Sequence, residues 1–324
     1  MSRSSRRHFL RELSCAGAFT LGSIAGVAAA LPPRIIELRR PRAVKQHVQG
    51  SSARVGRITA IRRTIGSREL AHVDPFVFLD AFDMKAPPGF EMGLAPHPHR
   101  GIETVSVILD GQVGHRDSLG NEGLVGPGGV QWMTAGAGII HDEDPDKRFF
   151  ERGGLMRGFQ LWVNLPARLK MTPARYQNLA ASGISTRTLS GVVARVIAGR
   201  AHGMTAATTT HTPLLLVHYT LPPGGAVTLP LPLKWNAFAQ VAEGTASFEA
   251  RRATPTGQLV VFGRDGDAVH FSNPGRTQLQ VLLGAGLPFD EPIVARGPFV
   301  MNSQAEIRQA YADYRAGRMG FLAP

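Results

Sequence analysis

Thr104-Val105-Ser106-Val107-Ile108-Leu109, followed at once by Asp110-Gly111, decides the fold class. A run of β-branched and aliphatic residues too short for a helix, stopped by an Asp-Gly turn, reads as a buried strand entering a hairpin. The same unit recurs on both sides. Phe76-Val77-Phe78-Leu79 precedes a polar, Pro/Gly-rich loop from Asp80 to Pro96, and His115-Arg116-Asp117-Ser118 precedes Leu119-Gly120-Asn121. Val130-Gln131-Trp132-Met133 precedes Ala135-Gly136-Ala137-Gly138, and Phe159 to Leu165 closes the series. A second series begins near Val192 and includes Leu214–Tyr219, Ala237–Val241, Leu259–Phe262 and Leu279–Leu283. Many short strands at regular spacing predict an all-β chain of two tandem barrels. With 37 Gly and 23 Pro among 324 residues, the composition suits turns better than long helices. One helix is predicted, Ser303 to Ala316, with Asn302 or Ser303 as N-cap, Glu306 at capping-box spacing and Gly317 as stop.

The charge balance narrows the partners. There are 36 Lys and Arg against 24 Asp and Glu, a net +12, nearly all of it from arginine. The arginines are scattered and no basic stripe is interleaved with aromatics, so nucleic acid is not the expected partner. The single cysteine, Cys15, excludes a disulfide scaffold, a Cys-based zinc site and an iron–sulfur cluster.

Two of the histidine clusters stand apart: His97-Pro98-His99 and His141-Asp142-Glu143. Each puts two potential ligands at i and i+2, which on a strand project from one face. Two such pairs on neighbouring strands can aim three imidazoles and one carboxylate at a single point inside a barrel. That donor set suits one divalent first-row metal. His202, His211, His218 and His270 form no such pair and read as structural or surface residues; His115 reads as structural, although it could face the cavity. Trp132, Met133, Phe159 and Trp162 read as core, and Gln131 as a possible cavity residue.

These motifs make the chain resemble the pirin family of the cupin superfamily. The resemblance rests on His97 to Val105, Pro127 to Glu143, Gly158 to Pro166, Gly297 to Asn302 and Asp313 to Gly320. It implies a bicupin, with a metal-binding N-terminal cupin barrel at 54–180 and a degenerate C-terminal cupin barrel with terminal helix at 181–324. By resemblance the metal ligands are His97, His99, His141 and Glu143, and the metal is iron(II), with manganese, nickel, copper or zinc as alternatives. The general cupin pattern adds Glu103 as an alternative ligand or a supporting residue. Four protein ligands on a six-coordinate metal leave two positions for a chelating substrate and O2. The activity implied is that of a quercetin 2,3-dioxygenase-like oxidoreductase on a flavonol or other chelating phenol, with Glu143 as first candidate for the catalytic base and Glu103 as second. The alternative implied is a non-catalytic iron-binding regulatory protein. Gly129 and Ala137 depart from the family's usual Asp and Arg; both are expected near the cavity mouth, where they would bear on substrate preference.

The N-terminus reads as an address. Ser5-Arg6-Arg7-His8-Phe9-Leu10-Arg11, an uncharged Ala/Gly-rich stretch and Ala28-Ala29-Ala30 resemble a twin-arginine export signal over 1–30. The expected location is periplasmic, by way of the twin-arginine machinery and without a stable membrane span. Residues 31–53 read as a basic linker or arm.

Overall fold

The computed structural model describes residues 39–249 and 252–322. The stretch read as an export signal lies outside these residues. Among the described residues no helix is long and apolar enough to cross a membrane. Every strand-to-strand ladder is antiparallel, and each half of the chain builds one seven-stranded and one four-stranded sheet. In the first half the large sheet is centred on Ile102–Asp110, Gly154–Asn164 and Phe76–Ala86, and the small one on His97–His99, Ile139–Asp142 and Val113–Asp117. In the second half Asn236–Glu243, Leu279–Gly286 and Leu214–Leu221 occupy the corresponding centre. The architecture is all-β with two cupin-type barrels and a C-terminal helix.

The two large sheets pack on one another. Val105, Val107, Trp132, Phe159 and Leu161 of the first meet Leu214, Leu216, Phe238 and Leu282 of the second in one buried cluster. Both faces of these strands are therefore covered, which is why their sequences run apolar instead of alternating. Phe76–Ala86 is longer than the sequence suggests. It continues through Asp80, where a loop is expected, because Asp80 finds a partner in Arg63 on the adjacent strand Ile58–Ile65.

The chain ends cross over. The stretch read as a linker or arm carries the strand Val44–Val48, which pairs with Leu259–Phe262 in the second barrel. Arg42 fixes it there, its buried guanidinium donating to the carbonyls of Gly266, Trp235 and Pro232. Ser51–Val55 then pairs with Ile58–Ile65 in the first barrel. At the other end the helix Gln304–Arg315 starts as predicted, with the Ser303 hydroxyl accepting from the Glu306 amide. It packs on the first barrel: Ile307, Ala310 and Met319 bury against Ile140, Phe299 and Met301.

Candidate metal centre

The three histidines converge because of strand register. His97–His99 runs antiparallel to Ile139–Asp142, with His97 opposite His141 and His99 opposite Ile139. His97 and His141 thus face each other across the ladder, and His99, two residues along, shares their side. Ring centroids lie 4.4 Å apart for His97–His141 and 5.1 Å for each of the other two pairs. One ring nitrogen from each falls within 4.8 Å of the others. Asp142 points the opposite way and accepts from Arg116, while Glu143, one step further, returns to the histidine side and lines the same cavity.

The polar surroundings prepare these rings as ligands. The Nδ1–H of His97 donates to the Ala95 carbonyl and that of His99 to the Pro298 carbonyl, each at 3.0 Å, which leaves Nε2 as the lone-pair donor. His141 is 1% exposed and neither ring nitrogen has a hydrogen-bond partner. A buried imidazole so placed needs another partner. Burial, reinforced by the neighbouring His97 ring, pushes the His99 pKa down to about 3. Burial and the neighbouring imidazoles push His141 well below its ordinary value. Both are neutral at physiological pH, the state in which imidazole binds a metal. Three imidazoles within reach of one point, one of them with neither nitrogen partnered, fit a single divalent transition ion.

Glu143 is not part of the tight three-histidine cluster. Ser106 Oγ lies 3.0 Å from its Oε1 and 2.6 Å from Gln160 Oε1. One hydroxyl has one proton to donate, so Ser106 can serve Glu143 or Gln160 at any moment but not both.

Glu103 is not at the centre. It shares a strand face with Val105 and Val107, opposite Thr134 and beside Trp132, and so points between the two large sheets, away from Ser106. Its Oε1 accepts from the Thr134 hydroxyl at 2.8 Å, and burial raises its pKa. Glu103 was expected as an alternative ligand or second base; alternation along Ile102–Asp110 turns it away from the three histidines. Gly129 and Ala137 do not line the cavity either. A side chain at Gly129 would run into Val125 and the Leu179 carbonyl, and the Ala137 carbonyl accepts from Arg100.

One cavity residue was read as core, and His115 sits close to the cluster in a structural setting. Trp162, read as core, lines the cavity and stacks on Phe78 with centroids 4.4 Å apart. His115 lies 5.4 Å from the His141 ring, is bonded to Asp117 at 3.0 Å and stacks flat on Tyr176 at 4.1 Å. Phe159 and Trp132 are core as read, and Gln131 is buried but not among the cavity residues. The cavity itself is about 780 Å³, mostly apolar in lining, and opens beside the His cluster. That is ample for a two- or three-ring ligand.

The C-terminal segment closes this barrel. Gly101, with φ of +81°, lets the Val300 carbonyl approach so closely that any Cβ would lie 2.1 Å from it. Buried Lys170 donates to the carbonyls of Gly101 and Val300 and to Asn164 Oδ1. Arg100 donates to Asp313 Oδ2 at 2.7 Å. The strand bearing His97 and His99 is thus pinned to the chain's end.

Fold and site together define a bicupin with a histidine metal centre in one barrel. Residues 58–163 match the pirin family and residues 216–320 the pirin C-terminal cupin domain, so the chain belongs to the pirin family. It is 39% identical over 284 residues to a pirin-like protein of Solanum lycopersicum, covering 87% of this chain and 94% of the relative. It is 41% identical over 288 residues to a Pseudomonas aeruginosa protein provisionally named a quercetin 2,3-dioxygenase, covering 86% and 99%. The solved structure of a quercetin 2,3-dioxygenase from Acinetobacter baumannii aligns with a TM-score of 0.81 at 34% identity, covering 88% of this chain and all of that one.

Proposed function

We propose that the protein is a metal-dependent dioxygenase acting with O2 on a chelating phenol of the flavonol type. The observation that carries this is His141, buried with both ring nitrogens unpartnered against the His97 and His99 rings, which line a cavity large enough for a polycyclic ligand. One relative provisionally named a quercetin 2,3-dioxygenase and a solved neighbour so named support the reading. His97, His99 and His141 would hold the metal, with Glu143 as the fourth ligand; iron(II) is the first candidate. The bound metal would supply Lewis acidity and redox capacity towards substrate and O2.

The chain's own residues do the rest. Glu143 accepts the phenolic proton of the substrate, and Ser106, itself held by Gln160, orients its carboxylate. Phe78 and Trp162, stacked on each other, form an apolar stretch of the cavity wall against which a planar ring system packs, fixing its approach to the histidines. The apolar lining excludes water from the reacting end.

The test is oxygen uptake and carbon monoxide release by metal-loaded protein with quercetin. Metal-loaded protein that consumes no oxygen with any flavonol would overturn the dioxygenase reading and leave the non-catalytic, iron-binding alternative. We also read 1–30 as a twin-arginine export signal delivering the protein to the periplasm. N-terminal sequencing of protein from that compartment should start just after Ala30.

A further inference from the structure

The cavity wall holds a second recognition element that the metal chemistry does not use. Planar groups follow one another from His99 outward. Trp162 meets the His99 ring edge-on at 5.0 Å, Phe78 stacks on Trp162 at 4.4 Å, and the guanidinium carbon of Arg63 sits 4.3 Å over Phe78. Arg63 is held by a two-pronged bond to Asp80, Nε to Oδ1 and Nη2 to Oδ2, each at 2.8 Å. The register that pairs Arg63 with Asp80 across neighbouring strands places Phe78 two residues along on the same face. Asp80 is 3% exposed, and both charged residues line the cavity.

An ion pair in such a place is not there for stability, since an apolar pair of similar volume would serve as well. Its value is orientation. The pairing occupies Nε and Nη2 and leaves the Nη1 protons outside it, while each Asp80 oxygen keeps a further acceptor site. The guanidinium lies no farther from the His99 ring than the three contacts laid end to end. That is the length scale of a two- or three-ring aromatic.

We propose that Arg63 and Asp80 read hydroxyl groups at the end of the substrate remote from its metal-chelating oxygens, so that the cavity selects planar polyphenols hydroxylated at both ends. This deepens, and rests on, the reading of the site as one for chelating phenols. A phenolic hydroxyl donates to Asp80 and accepts from Arg63 Nη1, while the rings between pack against the apolar stretch of wall that Phe78 and Trp162 form. A ligand without that hydroxyl displaces water from the ion pair and returns nothing, the arrangement that discriminates most strongly.

The test is binding without turnover. Metal-loaded protein is titrated in the absence of O2 with quercetin and with 3-hydroxyflavone, which carries only the chelating oxygens, and tryptophan fluorescence is followed. Wild type should bind quercetin about tenfold or more tighter, as expected for hydrogen bonds to charged groups. In R63M, whose side chain still covers Phe78, and in D80N, the ratio should fall below about threefold. A tenfold ratio that persists in both folded variants would overturn the proposal. So would a wild-type ratio near one, which needs no variant to fold. If neither flavonol binds wild type, the chelating-phenol reading fails and takes this inference with it. Binding of both without discrimination overturns the inference alone.

Discussion

The two barrels are built on the same plan and filled differently. In the second, the inward positions of Leu214–Leu221 are Leu215, Val217, Tyr219 and Leu221, and those of Leu279–Gly286 are Leu279, Val281, Leu283 and Ala285; with Phe248, Phe262 and Phe271 they form one apolar cluster. In the first, the matching positions of Ile102–Asp110 and Gly154–Asn164 include Ser106, Gln160 and Trp162, and the interior is a cavity edged by His97, His99 and Glu143. One β-can is stabilised by filling its centre and the other is kept open. The open barrel gives up core burial, and buttresses from outside replace part of it: the large sheet of its neighbour and the C-terminal segment held by Lys170 and Arg100. The closed barrel serves as the platform.

Breaking the open barrel's site gives the largest expected effect. H141A should lower metal affinity by more than ~100-fold, beyond what loss of a supporting residue costs, and abolish oxygen uptake. Metal analysis after dialysis against a mild chelator checks it. Next comes a contrast between two glutamates forty residues apart. E143Q should lower kcat by about 10²- to 10³-fold. E103Q should leave metal content and kcat near wild type, since Glu103 faces the neighbouring sheet. Equal losses in steady-state kinetics would return Glu103 to the site.

The C-terminal buttress is tested through Lys170. K170M takes a donor from three buried acceptors, of which the Gly101 carbonyl keeps the Leu165 amide, and should destabilise the fold by about 3 kcal/mol. Burial pushes this lysine down to about 7. Its pKa in the unfolded chain is near 10.4. Between those values the unfolded chain carries a proton that the folded one lacks, so wild-type stability gains with rising pH through this group. The gap between wild type and K170M in denaturant melts should therefore be smallest near pH 7 and widen towards pH 9. The smallest effect belongs to the closed barrel. His218 is buried there, with its pKa pushed down to about 3 by burial, but it faces between the sheets and joins no ligand cluster among the described residues. H218A should leave metal content unchanged.

What was legible in the sequence was local. His97, His99, His141 and Glu143 could be read because i,i+2 spacing on a strand sets a common face without knowledge of the partner strand. The capping box at Ser303 was legible for the same reason. Facing within a doubly buried strand was not. Thr104–Leu109 is covered on both sides, so nothing in its pattern says that Ser106 turns to the cavity and Glu103 away from it. Arg63 and Asp80, seventeen residues apart, meet only through strand register. Val44–Val48 has the mixed polarity of an edge strand, with Lys45 and Gln46 inside it, and so reads as linker.

X-ray absorption at the metal edge of the purified protein, with the metal-to-chain ratio measured on the same sample, tests the central claim most directly. The account predicts one divalent transition ion per chain, with three imidazole nitrogens and at least one oxygen around it. Two ions per chain, or one ion with fewer than two imidazoles, would contradict it.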